Sequence, residues 1–314
     1  MPPVERPIFL VGSERSGTTL LRLMLDHHPG IAFNGESDYI VSEISDQGEY
    51  PEISRYCAWL ATDRIFQGSC YRIDERLDYA GMVNDFLDQI RTRANKEMVG
   101  ATVHHRFRLL RGIWPKARFI YLYRDGRDVA TSVVRMGWAG NVYVAADWWL
   151  NAEREWDELR DALPQDAWIE VRFEDLIASA RQQLERICVF LGVPYSAKML
   201  DYVADSTYSA PDPGASYQWK TGLRAADVQR IEAKLADRLL RRGYAMSGLP
   251  RKSIGRAART YLRLHSRVNA YLFRVRRFGI ALTLRETLTR RFGFQRAHQD
   301  AVGRIDRIIN ANVK

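Results

Sequence analysis

"FLVGSERSGTTLLRLMLDHHP", Phe9 to Pro29, is the stretch on which the reading of the chain turns. A short apolar run enters a turn bounded by Gly12 and Gly17, and the turn opens on a helix-like pattern. The spacing of the two glycines is that of a phosphate-binding loop, G-x-x-x-x-G, whose backbone N–H groups converge with a helix N-terminus on an anion. A nucleoside triphosphatase loop goes on with Lys and then Ser or Thr. Here the next residues are Thr18 and Thr19. Ser13, Ser16, Thr18 and Thr19 add hydroxyl donors, and Arg15 supplies the positive charge on a fork suited to phosphate oxygens. Taken alone, the loop reads equally well as a tight turn with a capped helix.

Five segments around this loop read as strands: 7–12, a weaker 31–33, 98–103, 117–123 and 167–173. Helical patterns lie between them, including apolar stripes over 143–163 and 174–191. Near-continuously apolar strands alternating with helices predict an α/β fold, a parallel β-sheet flanked by helices. The Trp-rich stripe of 143–163 reads as core.

The chain has 314 residues and a net charge of +9. Residues 251–314 hold 16 Lys+Arg against 3 Asp+Glu, a balance of +13. The first 250 residues hold 31 against 35, a balance of −4. The main body is therefore close to neutral, and no nucleic-acid partner follows from the charge. Together with the turn residues "SGLP" at 247–250, the charge divides the chain into a 1–250 domain and a 251–314 basic helical extension. Within the extension, Tyr261, Leu264, Val268, Tyr271 and Leu272 recur at helical spacing among seven arginines from Arg256 to Arg277. The first reading of this basic amphipathic helix is packing on the body through its apolar stripe. The second is peripheral contact with an anionic membrane surface. There is no secretory pattern at the start, no apolar run of the roughly 18 residues that span a bilayer, and no C-x-x-C among the three cysteines. These features predict a cytoplasmic protein.

A second stretch, "WPKARFIYLYRDGRDVATSVVRMGW" (114–138), has the same strand–turn–helix form. An apolar strand ends in Arg124, and the following helix carries Ser132, so both lie near a strand's C-terminal end, where doubly wound sheets bind ligands. Together the two stretches resemble the sulfotransferases that use 3'-phosphoadenosine 5'-phosphosulfate (PAPS), a P-loop-like fold found in bacterial-type enzymes. The motifs are nearest to the tyrosylprotein and carbohydrate branch. "RSGTT" resembles the family's 5'-phosphosulfate loop, and "RFIYLYRDGRDVATS" its 3'-phosphate element. "IEVRFEDL", "ICVFLGVPYS" and "YQWKTGL" follow in the family's order, so that the resemblance runs from about residue 7 to 245.

The resemblance implies a sulfotransferase that moves a sulfuryl group from PAPS to a hydroxyl, releasing PAP, with no metal required. The acceptor would be a carbohydrate, glycolipid, small metabolite or peptide tyrosine. Arg15, Ser16, Gly17, Thr18, Thr19, Leu20, Arg124, Ser132, Phe173 and Lys220 would hold the donor. A hydroxyl nucleophile needs a base, and the Glu that follows Gly35 in "FNGESDY", Glu36, matches the family's general base. The lysine that many relatives carry in "GEKTP" near the third strand is missing here. His104 and His105 stand in that region, as sulfate-facing donors or as competing bases. Two other readings remain: a P-loop kinase or NTPase, and a non-catalytic protein that binds anionic lipid or nucleic acid through the extension. The missing lysine argues against the first, and the intact set Arg15, Glu36, Arg124 and Ser132 against the second.

Overall fold

Ile8–Val11, the apolar run that enters the glycine loop, is the central strand β1 of a five-stranded parallel sheet. The others are β2 (Ile31–Glu36), β3 (Met98–Val103), β4 (Arg118–Tyr123) and β5 (Trp168–Arg172), in the order β2-β3-β1-β4-β5. The computed structural model describes residues 3–292 and 294–311. All five sequence-predicted strands are present. β2 is longer than its apolar core, because "NGE" continues it through a register shift that sets Glu36 opposite Thr102.

Both faces of the sheet are buried, which explains why its strands do not alternate in polarity. Ile8, Leu10, Ile120, Leu122 and Val171 belong to one apolar cluster, and Phe9, Val11, Ala101, Val103, Phe119 and Tyr121 to the other. The helices are α1 (Thr18–Asp26), α2 (Ile53–Leu60), α3 (Arg64–Ser69), α4 (Tyr79–Ala94), α5 (Leu110–Ile113), α6 (Gly126–Arg135), α7 (Val142–Asp161), α8 (Phe173–Ala178) and α9 (Ala180–Leu191). They continue with α10 (Trp219–Gly222), α11 (Ala225–Arg241), α12 (Arg256–Phe278), α13 (Ile280–Arg291) and α14 (Gln295–Ala311). The stripe over 174–191 is thus two helices, separated at Ser179, whose φ of −146° leaves the helical region. Trp149 and Trp156 of α7 are fully buried, as the core reading of their stripe requires.

The described residues of Met1–Asp125 and Trp148–Gln218 form one compact unit, which holds the whole sheet. Those of Gly126–Asp147 and Trp219–Lys314 form a second. In the second unit the buried Arg127 guanidinium pairs with Glu232 of α11 at 2.7 Å, donates to the Ala245 carbonyl and lies over the Trp219 ring. Asp128 accepts the Trp219 backbone N–H at 2.8 Å. Arg127 and Asp128 therefore tie α6 to α10 and α11.

The expectation that the apolar stripe of the extension packs inward is overturned. α12 buries Leu262 and Ser266, on the side of the helix away from Tyr261, Leu264 and Val268, which are exposed. The reason is close approach. A Cβ on Gly140 would lie 2.3 Å from the Ser266 carbonyl oxygen, and one on Gly137 would lie 2.1 Å from the Phe273 ring. The face of α12 set against this glycine pair carries Ser266, Asn269 and Phe273. Residues 293 and 312–314 of the extension lie outside the described residues.

In the first unit, Glu155 of α7 accepts the backbone N–H groups of Arg106 and Arg108, fixing the loop after β3. Burial pushes its carboxyl up to about 7 from 4.5. With the folded value raised, its contribution is complete below about pH 4.5 and is lost as pH rises through about 7. Discounted for partial exposure, the loss should be about 1–2 kcal/mol. Denaturant unfolding at pH 5 and pH 8 should show this decline in the wild type and a flatter profile in Glu155→Gln. Identical profiles would show that Glu155 is not the titrating group.

Candidate functional site

All five strands run parallel, so their C-terminal ends share one edge of the sheet, and every sequence-predicted site residue of the first unit lies at or just beyond that edge or on α1. The loop after β1 is shaped by two glycines. Gly12 has φ +153°, and a Cβ there would lie 2.3 Å from the Leu122 carbonyl oxygen of the neighbouring strand. Gly17 has the left-handed φ of +95°, and a Cβ there would lie 2.3 Å from the Phe173 ring. Either position would be strained with a larger residue. Arg15, between them, is also left-handed at φ +69°.

Gly17 is the N-cap of α1 and provides no side-chain cap. The N–H groups of Leu20 and Leu21 return to the Gly17 carbonyl, which leaves the helix's first N–H groups, from Gly17 to Thr19, without intrahelical acceptors. The helix dipole adds positive potential at the same place. The Ser16 hydroxyl is fully buried with no hydrogen-bond partner among the described residues. A buried, unsatisfied hydroxyl costs on the order of 1–3 kcal/mol, and an anion in the loop would satisfy it. Thr18 and Leu20 are buried on α1, and Thr19 is half-buried.

Arg124, just beyond β4, is coupled to this loop. Its guanidinium lies 4.5 Å over the Phe173 ring and donates to the Ala215 carbonyl at 2.6 Å and to the Arg15 carbonyl at 3.4 Å. Phe173 thus sits between the glycine turn and the arginine that follows β4. Ser132 and Lys220 belong to the second unit: Ser132 is half-buried on α6, and Lys220 is exposed on α10.

On the other side of the loop, the two histidines part. His104 is buried, and its Nδ1–H donates to the Gly12 carbonyl at 3.1 Å. That bond leaves Nε2 as the remaining polar atom of the ring. The half-exposed His105 faces away, with Nδ1 at 3.3 Å from Asp38 and Nε2 at 3.2 Å from the Ser42 hydroxyl. Glu36 ends β2 as an exposed carboxylate.

Two acidic residues at the site have no counterpart in the sequence reading. Asp38 accepts the backbone N–H groups of both His104 and His105, at 2.7 and 3.3 Å, and so joins the ends of β2 and β3. Glu14 lies inside the anion loop; burial raises its carboxyl above the ordinary value, and His104 pulls it partly back. Asp38 is visible only as an acid two residues after Glu36, and Glu14 only as an acid among hydroxyls.

Known proteins resemble the chain in sequence and in fold. The chain is 28% identical over 211 residues to a putative protein-tyrosine sulfotransferase of Caenorhabditis briggsae, covering 63% of this chain and 69% of that one. It is 26% identical over 274 residues to protein-tyrosine sulfotransferase 1 of Danio rerio, covering 76% and 72%. Among solved structures it is similar to the sulfotransferase domain of the Synechococcus PCC 7002 olefin synthase. That likeness has a TM-score of 0.58 and 21% identity, over 80% of this chain and 98% of that one. The sulfotransferase domain from the curacin biosynthetic pathway gives 0.53 and 19%, over 74% and 98%. The model of the sulfotransferase family matches residues 7–197, from the strand before the glycine loop to beyond α9, and by that match over more than half its length the chain belongs to the sulfotransferase family.

Proposed function

We propose that the loop from Gly12 to Thr19 holds the 5'-phosphosulfate of PAPS, that Arg124 takes its 3'-phosphate, and that Glu36 is the base for a hydroxyl acceptor. The observation that carries this reading is the Ser16 hydroxyl, buried and unsatisfied beside the uncapped N-terminus of α1. It fits a tetrahedral anion with several acceptor oxygens. Arg15, Ser16 and the N–H groups of Gly17, Thr18 and Thr19 meet the charge that grows on the leaving phosphate, as electrostatic stabilisation of a transferring group requires. Leu20 anchors α1 in the core, and Phe173 holds the glycine turn and the Arg124 guanidinium together.

In the transfer, the acceptor oxygen attacks sulfur as the bond from sulfur to the phosphate oxygen breaks. The bonding pair leaves with the phosphate to give PAP, and the acceptor's proton passes to Glu36. β2 and β1 are separated in the sheet by β3. Two strand spacings come to roughly 10 Å, enough for a sulfuryl group and an attacking hydroxyl between the loop and the carboxylate. His104 follows the intervening strand and bonds the loop itself, so it is the histidine assigned to the sulfate; His105 is engaged by Asp38 and Ser42. The names of the relatives favour a phenolic hydroxyl, tyrosine in a peptide, as the first acceptor to try.

Two experiments test this reading. Labelled sulfate should move from PAPS to tyrosine-containing peptides or to a metabolite pool. No transfer to any hydroxyl acceptor by folded protein that binds PAP would contradict it. Gly17→Ala should weaken PAP by about 10–100-fold, since the added methyl must displace the Phe173 ring and strain the turn by about 1–3 kcal/mol. Unchanged affinity in calorimetry would show that the turn does not form the anion site.

A further inference from the structure

α12 and α13 each turn an apolar stripe outward. α13 buries Thr283, Glu286 and Thr289 and exposes Ile280, Leu284 and Leu288. The Thr283 hydroxyl is buried with no hydrogen-bond partner among the described residues. α12 buries Ser266 with Leu262, while Tyr261 is 63%, Leu264 60% and Val268 50% exposed. Positions 261, 264, 268 and 272 recur every three or four residues and so form one continuous stripe, on the side of the helix away from Leu262 and Ser266. A helix in water normally turns its apolar stripe to the core. Two successive helices that do the opposite describe a surface meant for a non-aqueous neighbour.

The charge identifies the neighbour. Arg256, Arg263 and Arg267 are exposed alongside the stripe on one side and Arg276 on the other, within a segment whose balance is +13. A second copy of the same face would bring +13 against +13, whereas an anionic bilayer offers opposite charge and an apolar interior together. A cavity of about 510 Å³ opens beside the stripe. Trp138, Tyr271, Phe273 and Phe278 line it, with Arg267 and Arg277 also at its wall, the chemistry of an acyl chain under an acidic headgroup. We propose that the outward faces of α12 and α13 form a docking surface for an anionic phospholipid membrane, with aliphatic and aromatic side chains entering the headgroup boundary and the arginines meeting the lipid phosphates. This surface lies within the second unit and does not depend on the assignment of the sulfuryl-transfer site.

The test is sedimentation of the full chain with vesicles of phosphatidylcholine alone and of phosphatidylcholine containing phosphatidylserine. The protein should partition onto the second kind at least tenfold more strongly, and the preference should shrink at high salt. Leu264→Glu with Val268→Glu and Leu272→Glu should reduce partitioning more than tenfold while leaving the thermal shift given by PAP unchanged, since all three positions are exposed. Should that variant fail to fold, Arg263→Gln with Arg267→Gln tests the same surface. Each removed charge should lower partitioning about fivefold, the equivalent of about 1 kcal/mol per basic residue. Equal partitioning onto both vesicle types, or no loss in either variant, overturns the proposal. So does a dimer in sedimentation velocity that the triple variant abolishes while vesicle binding is absent, which would make a second copy the occupant.

Discussion

Glu36→Gln is expected to lower turnover by roughly 100-fold or more while leaving PAP affinity almost unchanged. The substitution keeps the size of the side chain and one acceptor oxygen but removes its basicity. Its position accounts for the separation of the two effects. Glu36 ends β2, two strands from the glycine loop, and is exposed, so it can meet an incoming hydroxyl without being part of the anion cradle. The comparison is His104→Ala. His104 donates to the Gly12 carbonyl, so its loss should disturb the loop and weaken donor and PAP together, with a smaller effect on turnover at saturation. Steady-state kinetics and PAP titrations on both variants separate the roles. Normal turnover in Glu36→Gln with none in His104→Ala would make the histidine the base.

Arg124→Met should weaken PAP by about 10–150-fold, the range that corresponds to about 1.5–3 kcal/mol for a charge-assisted contact. Binding of 5'-AMP, which lacks the 3'-phosphate, should change far less. Methionine keeps an apolar stem against the Phe173 ring. It loses the bond to the Arg15 carbonyl, so a small loss common to both nucleotides will come from the loop. The difference between the nucleotides measures the 3'-phosphate contact. An equal loss for both nucleotides in Arg124→Met would remove the arginine from the 3'-phosphate site.

The strands were legible because a parallel sheet covered on both faces demands unbroken apolar runs, and these stand out against amphipathic helices. β2 is legible only over its apolar part for the same reason: its last residues, Asn34, Gly35 and Glu36, are not apolar and are held by pairing with β3 rather than by their own pattern. The anion loop was legible from Gly12 and Gly17, but the need for glycine at position 17 comes from Phe173, a residue distant in sequence whose approach no local spacing reports. Asp38 is not legible in the sequence because it acts on backbone N–H groups just beyond another strand, and a lone carboxylate carries no sign of that. The extension shows a further limit. Periodicity marks which residues share a face of α12, but Gly137 and Gly140 decide which face turns inward. Ser266, Asn269 and Phe273 take that place, with Leu262 buried beside them.

The most direct measurement is titration calorimetry of the full chain with PAP, with and without a chelator, against ATP with magnesium. A site built from Arg15, the first turn of α1 and Arg124 should bind PAP at least tenfold more tightly than ATP with magnesium, and the chelator should make no difference. Tighter binding of ATP with magnesium, or no binding of PAP by folded protein, would contradict the assignment of a PAPS-dependent sulfuryl-transfer site.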